Sequence, residues 1–454
     1  MRYHYDLLVI GSGSAGFAAA QAGRGSGRKI ALVESDRLGG ECPNWGCVPT
    51  KALLASAKQL RASQAWETLG LYGAEARMNF TEVMRRKDAL VAGLTGKRLS
   101  RVADALGIDV LRGRASFLDP HTLHVGTREV TAERFVIATG SAVRVPSIPG
   151  LEGVAWWSFK DAVSAARPPA SLIVVGGGPV GVELATFFSA AGTKVFLVQG
   201  APQLLEREEP EIANVIKDSL EKFGVEILMK SEVLRVMAAQ KGLEASVRAG
   251  TQMRTLQAEH LLLATGKVAE VSGLGISAAG VELDARGWVK TNAELRTTAK
   301  HIWAAGDVTG GMLFTHIAHA EGALAGTNAF AKKPSRIDLR VAPRVTFSDP
   351  EVASVGLTEA EAKKAGSAVV TSTFPIASLG RAYVEGKRIG LIKLVVDTKT
   401  RKVLGGHIAS ERAGEMIHEI ALAMKTHTTV DALASMIHAY PTYSEAISAA
   451  AGLL

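Results

Sequence analysis

Residues 39–51 read "GGECPNWGCVPTK" and contain the only two cysteines of the chain, Cys42 and Cys47. Metal sites usually draw on three or four protein ligands, and no third cysteine exists to help, so no metal site is expected. On a regular helix these two positions stand about 7.5 Å apart along the axis and roughly 140° apart around it. That is too far for good disulfide geometry. Joining them needs an irregular turn, which Pro43 and Gly46 suit, and a strained or exposed bridge is readily reduced. On the residues alone two readings stand: a redox pair, or two separate buried cysteines.

Upstream, "YDLLVIGSGSAGFAAAQAG" reads as strand, tight turn and helix. Gly11, Gly13 and Gly16 fit the spacing that allows a sharp turn, close approach of a pyrophosphate and tight packing of helix on strand. The pyrophosphate would sit on the helix N-terminus, where unpaired N–H groups converge. A second strand, "KIALVE", ends at Glu34, whose carboxylate suits a ribose hydroxyl pair. The pattern recurs in "ASLIVVGGGPVGVELATFFSAAGTKVFLVQ", with Gly176, Gly178 and Gly181. Two such units are what a relay between a bound flavin and NADH or NADPH requires. FAD is expected in the first, because the cysteines follow it directly and a dithiol needs an electron relay from the nicotinamide. The second repeat ends at Gln199, where NAD-specific sites usually carry an acid. Lys194 and Arg207 are cations nearby in sequence, so the coenzyme preference stays open.

"GGECPNWGCVPTK" resembles the active-site segment of the class I flavoprotein disulfide reductases, which include dihydrolipoamide dehydrogenase, glutathione reductase and mercuric reductase. Glu41, Pro43 and Trp45 depart from the usual segment, while both cysteines, Asn44, Gly46 and "VPTK" match. The resemblance covers nearly the whole chain and implies a redox disulfide between Cys42 and Cys47. Cys47 is implied as the flavin-side thiol and Cys42 as the one that meets substrate. It also implies a Lys51–Glu183 pair beside flavin N5. Ala115, Thr139, Gly140 and Ser141 would lie near the flavin nucleotide. Asp307 would contact the ribityl and pyrophosphate region, and the backbone of Thr315 would lie near the isoalloxazine. In the later stretch "LLLATGKVAEVSGL" Lys267 replaces an Arg of the family pattern.

The expected fold is α/β, with two Rossmann-like nucleotide-binding domains and a C-terminal α+β dimerisation domain. The boundaries are 1–145 for the first part of the FAD-binding domain, 146–270 for the NAD(P)-binding domain, 271–335 for the closing part of the FAD domain and 336–454 for the dimerisation domain. Residues 52–106 read mainly as helix, with Trp66 and Met84 expected in the core. His316 and His319 are expected to pack or cap. Family members are homodimers in which the C-terminal turn closes the partner's dithiol site. In this turn, "HAYPTYSE", Tyr440 stands where the usual proton-accepting His would be, with Glu445 downstream. A phenol with a reference pKa near 10 is a poor base at neutral pH.

The composition bounds the remaining choices. The chain has 454 residues, 47% hydrophobic and 21% charged, with a net charge of +8. No basic cluster interleaved with aromatics appears, so nucleic acid is not expected as a partner. No apolar run reaches 18 residues and a strand begins almost at once, so neither a membrane span nor a signal peptide is expected. A cytoplasmic homodimer acting on a small molecule, with a lipoyl-carrier protein among the admissible substrates, fits these features. Only two cysteines argue against a complete mercury-delivery relay. The expected activity is NAD(P)H-dependent reduction of a small disulfide, electrophile or metal–thiol complex. The alternatives are dihydrolipoamide dehydrogenase proper, or an oxidase or quinone reductase that bypasses the thiols.

Overall fold

The run "YDLLVI" forms the strand Tyr5–Ile10, whose last four residues are buried. A strand apolar on both faces belongs inside a parallel sheet covered by helices. In the computed structural model, which describes residues 3–25 and 27–454, it does so. It pairs in parallel with Ile30–Glu34 on one side and with the second half of Arg128–Ile137 on the other. Ile108–Arg112 and Ile302–Ala304 extend the sheet, also in parallel. The first half of Arg128–Ile137 turns away to join Thr122–Val125 and Ala115–Asp119 in an antiparallel ribbon. Side chains alternate between faces along a strand. Leu8, Ile10, Val33 and Phe135 therefore enter one core, and Leu7, Val9, Leu32 and Val136 enter the other.

The helix Ser14–Gly23 lies against the helix Thr315–Asn328, and glycine sets the distance. A methyl group at Gly322 would stand 2.1 Å from the Ala15 carbonyl oxygen, and one at Gly326 2.1 Å from that of Ala19. Two small-residue faces thus bring both helix starts to the carboxyl ends of the strands. These elements make one compact unit within Met1–Pro49, Arg85–Arg144 and Gly266–Leu339.

The second unit comprises Thr50–Met84, Val145–Thr265 and Arg340–Leu454. Its nucleotide-type sheet is wholly parallel, in the order Glu226–Leu228, Lys194–Val198, Ser171–Val175, His260–Leu263, Trp156–Trp157. A three-stranded antiparallel sheet follows over Ser231–Ala258. The C-terminal part is a five-stranded antiparallel sheet, Arg344–Thr346, Glu351–Gly356, Val403–Ser410, Leu391–Asp397, Val369–Pro375, backed by the helix Ala413–Lys425. The Lys393 ammonium is 3.1 Å from Glu209, 3.0 Å from Glu211 and 2.9 Å from Glu359, tying this sheet to the helix after the nucleotide strands. The expected α/β architecture with a C-terminal α+β domain is therefore present.

Two local expectations fail. Met84 is buried, but Trp66 is 39% exposed, because the helix Cys47–Ser63 ends before it and a short 3₁₀ turn, Trp66–Leu69, carries it outward. His319 is exposed rather than packed, whereas the exposed His316 keeps a ring contact with Phe314, centroids 5.7 Å apart. Among the described residues no helix is long and apolar enough to cross a membrane.

Candidate active site

The first glycine loop has the local geometry its spacing predicts. Gly11 adopts φ 102°, and a side chain there would strike the Ala138 carbonyl oxygen at 2.2 Å. A methyl group at Gly13 would meet nothing nearer than Gly40 at 3.9 Å, so this position is open to a ligand. The buried Thr139 hydroxyl has no hydrogen-bond partner among the described residues. An open glycine at a helix N-terminus beside an unsatisfied hydroxyl fits a pyrophosphate-bearing nucleotide. Glu34 closes the loop. Its Oε2 accepts from the Ser12 N–H (3.1 Å) and hydroxyl (2.5 Å), and its Oε1 from the Asp36 N–H (2.7 Å). Ala115 is buried two residues past Gly113, whose N–H donates to the Glu34 carbonyl at 3.0 Å.

The dithiol segment is fastened to this loop. The Gly39 N–H donates to the Ser12 hydroxyl at 3.1 Å, and a methyl group at Gly40 would stand 2.6 Å from the Gly13 Cα. Asn44 donates to the carbonyls of Leu38 (3.0 Å) and Gly40 (2.9 Å), folding the segment back on itself. The irregular turn is present: a short helix Glu41–Asn44 stops at Trp45, and a new helix starts at Cys47. The Trp45 and Gly46 N–H groups both donate to the Glu41 carbonyl at 2.7 Å. This break brings Cys42 within hydrogen-bonding reach of Cys47, both as thiols. Cys47 Sγ is 3.2 Å from the Thr315 hydroxyl. Thr315 thus offers a side-chain contact to sulfur in addition to the backbone contact expected of it.

The hydrogen bond to Cys47 pushes the Cys42 thiol well above its ordinary range, and burial pushes it further. In a coupled pair one proton is shared before the second leaves. The hydrogen bond and burial therefore bind the two thiols into one titrating unit that holds the Cys42 proton.

The three unusual residues of the segment have partners that single-sequence reading does not find. Glu41 forms a close ion pair with Lys267, which also stands 3.9 Å from Asp307. The Trp45 ring lies under the Arg37 guanidinium, 4.3 Å from its centroid. Pro43 packs against Gly39, where a methyl group would lie 2.9 Å from its ring. Asp307 accepts from the Ser141 hydroxyl at 2.7 Å, so two expected flavin contacts do meet. Gly140, with φ 78°, precedes them.

Glu321 was not singled out by sequence. It is buried, and its carboxylate accepts from the Gly306 N–H at 2.7 Å. Burial, with the charge of Asp307 adding to it, raises its pKa from 4.5 to about 7. A carboxyl whose folded pKa is raised holds its proton more tightly in the fold. Its stability contribution is full below about 4.5 and is lost as pH rises through about 7. Glu321→Gln should therefore gain on the wild type across that window, by roughly 2–3 kcal/mol above pH 7. Urea midpoints at pH 5 and pH 8 check this; an identical pH dependence for both proteins contradicts it.

In the second unit the Lys51 ammonium lies 2.9 Å and 2.7 Å from the two Glu183 oxygens. Glu183 is 5% exposed and also accepts from the Phe347 N–H at 2.9 Å, while the Lys51 side chain remains 31% exposed. The fixed acid therefore holds a reachable ammonium. At the second glycine loop Gly176 repeats the turn of Gly11 with φ 110°, a methyl at Gly181 would stand 1.9 Å from the Gly176 carbonyl oxygen, and one at Gly178 would meet nothing within 4 Å. This is again the fit for a nucleotide pyrophosphate. Gln199 Oε1 accepts from the Gly177 N–H at 2.9 Å.

At the C-terminal turn Tyr440 is 79% exposed, with its hydroxyl beside Gly380. Glu445 accepts from the Thr442 N–H at 2.7 Å, so it braces the turn. His438 points elsewhere, its Nε2 3.0 Å from Glu419.

The family model of the pyridine nucleotide-disulphide oxidoreductases matches residues 5–322, and that of their dimerisation domain matches residues 342–451. The chain is 36% identical to a mercuric reductase of Staphylococcus aureus, over 98% of this chain and 82% of that one. It is 38% identical to a dihydrolipoyl dehydrogenase of Chlorobaculum tepidum, over 98% and 96%. Among solved structures it resembles the HOCl-induced flavoprotein disulfide reductase RclA of Escherichia coli, with TM-score 0.88 and 30% identity, covering 99% of this chain and all of that one. It equally resembles the Cu(II) complex of that reductase, with TM-score 0.89.

Proposed function

The chain belongs to the pyridine nucleotide-disulphide oxidoreductase family, whose members are NAD(P)H-dependent flavoprotein disulfide oxidoreductases, and from that premise we propose what it reduces and with which residues. It takes electrons from NAD(P)H through Cys42 and Cys47 to a small disulfide, electrophile or metal–thiol complex. The observation that carries this reading is the dithiol itself, fastened through Ser12 and Gly40 to an open glycine loop. FAD, cradled by Gly11, Gly13, Gly16, Glu34, Ala115, Thr139, Gly140, Ser141, Asp307 and Thr315, would supply the two-electron carrier between nicotinamide and disulfide. The second loop, with Gly176, Gly178, Gly181 and Gln199, would hold NAD(P)H. The proposed division into domains is the one at 145, 270 and 335.

For a disulfide substrate the residue chemistry balances as follows. The Cys42 thiolate attacks one substrate sulfur, and the other leaves as a thiolate that takes a proton. Cys47 then attacks Cys42, the Cys42–Cys47 bond forms, and the second substrate thiol departs. One NAD(P)H and one proton restore the dithiol, so each turnover yields NAD(P)⁺ and two thiols. Lys51, fixed by Glu183, would supply a positive charge to the bound carrier. Because Cys42 holds its proton firmly, a base must take it before attack, and Tyr440 is poorly suited to that. We therefore propose slow lipoamide and glutathione disulfide reduction. Substrates that are themselves strong electrophiles or soft metal complexes need less help, and the likeness to a copper-complexed reductase supports that class. The exposed C-terminal turn is proposed to close the dithiol site in a homodimer, and a cysteine-poor chain with a working dithiol suits the cytoplasm.

The test is a steady-state panel of lipoamide, glutathione disulfide, Cu(II) and Hg(II) thiol complexes and small oxidants with the purified flavoprotein. The metal complexes or small oxidants should exceed lipoamide and glutathione disulfide in kcat/KM by at least about tenfold. Lipoamide turnover matching or exceeding theirs contradicts the substrate assignment.

A further inference from the structure

The two glycine loops are closed by different chemistry. In the first, the acid that follows Gly16 at the end of its strand, Glu34, accepts from the Ser12 N–H at 3.1 Å. In the second, Gln199 stands at the same interval after Gly181, and its Oε1 accepts from the Gly177 N–H at 2.9 Å. Gln199 is thus the steric counterpart of Glu34 but carries no charge. Its amide nitrogen donates instead to the Gln203 carbonyl (3.2 Å) and to Glu206 Oε1 (2.9 Å). The backbone brings Glu206 there. Leu205 takes a left-handed conformation, φ 47°, and its N–H donates to the Gly177 carbonyl at 2.9 Å. Leu204 fills the space against Gly177, where a methyl group would meet it at 2.5 Å. A non-glycine residue at positive φ costs energy and is kept only where its surroundings enforce it. Here it holds an exposed carboxylate against the loop, seven positions past the expected acid.

We propose that Glu206, positioned by Gln199, selects NADH over NADPH. Its carboxylate accepts from an adenosine-ribose 2′-hydroxyl and opposes a 2′-phosphate, which would bring a second negative group into the same space. This rests on the reading of the second glycine loop as the NAD(P)H site. The nearby cations do not offset the acid in the same way. Lys194 lies at the start of its strand, the end away from the loop, with its ammonium 4.9 Å from the Phe196 ring centroid. Arg207 and Lys230 are exposed flanking residues, and both are tested below.

The experiment is calorimetric titration of the oxidised flavoprotein with ADP-ribose and with 2′-phospho-ADP-ribose, neither of which turns over. The wild type should bind ADP-ribose at least about tenfold more tightly. Glu206→Gln should bring the two affinities within about threefold, chiefly by strengthening the phosphorylated ligand, and Glu206→Lys should invert the order. Arg207→Ala and Lys230→Ala should leave the wild-type preference in place. Tighter binding of the phosphorylated ligand by the wild type, its loss in Arg207→Ala or Lys230→Ala, or an unchanged ratio in Glu206→Gln at normal flavin content would overturn the proposal. Failure of both fragments to bind, with neither NADH nor NADPH reducing the flavin, would instead remove the site assignment beneath it.

Discussion

Cys42→Ala is expected to lower NAD(P)H-driven reduction of any disulfide by about 10³ or more, since the variant lacks the sulfur that forms the mixed disulfide. Flavin content should stay at the wild-type level, because the segment is anchored by Asn44, Gly39 and Gly40 rather than by the cysteine side chain. The same variant separates two enzyme classes. An oxidase or quinone reductase that bypasses the thiols would keep its main activity in Cys42→Ala. Under the dithiol account, NADH oxidation by quinone or dioxygen persists only as a minor side reaction, while turnover of the preferred substrate disappears. Retention of the preferred activity would move the chain to the bypass class.

Tyr440→His is expected to raise lipoamide turnover at least about tenfold, because a positioned acid–base group contributes roughly 10²–10⁴. Glu445 already braces the turn through the Thr442 N–H, so the substitution need not rebuild its backbone. Tyr440→Phe should leave the slow lipoamide rate almost unchanged, within about twofold, since the phenol is not acting as the base there. Measuring kcat for lipoamide in both variants and in His438→Ala settles the roles. Brisk wild-type lipoamide turnover lost in His438→Ala would assign the proton to the His438–Glu419 pair, whose 3.0 Å hydrogen bond already orients the imidazole.

What the sequence made legible was chemistry enforced by backbone geometry or by short spacing. The glycines of both loops are readable because a turn that excludes a Cβ leaves a mark at a fixed interval. Glu34 is readable because a strand end places it. The family resemblance supplied the Lys51–Glu183 pair, 132 residues apart, and named Ser141 and Asp307 as separate flavin contacts, which the fold joins over 166 residues. Other features depended on partners that no local pattern announces. Glu41 and Lys267 each looked like an isolated departure from the family, yet together they form one ion pair. Glu321 reads as one more polar helix position until the fold buries it against Gly306. Gln199 looked merely neutral, because the acid that accompanies it arrives through a left-handed turn at Leu205. Trp66 failed for the opposite reason: apolar periodicity continued on paper past the point where the helix ends.

The most direct test of the account is anaerobic titration of the purified flavoprotein with one equivalent of NADH, followed by absorbance. With Cys47 proposed as the flavin-side thiol, it should stand as a thiolate beside oxidised flavin after two-electron reduction. The account predicts a long-wavelength band in the wild type at one equivalent, present in Cys42→Ala before any NADH is added and bleached by it, since no disulfide there takes the electrons, and absent from Cys47→Ser throughout. Wild-type flavin that bleaches fully at one equivalent, with no such band there or in oxidised Cys42→Ala, would contradict it.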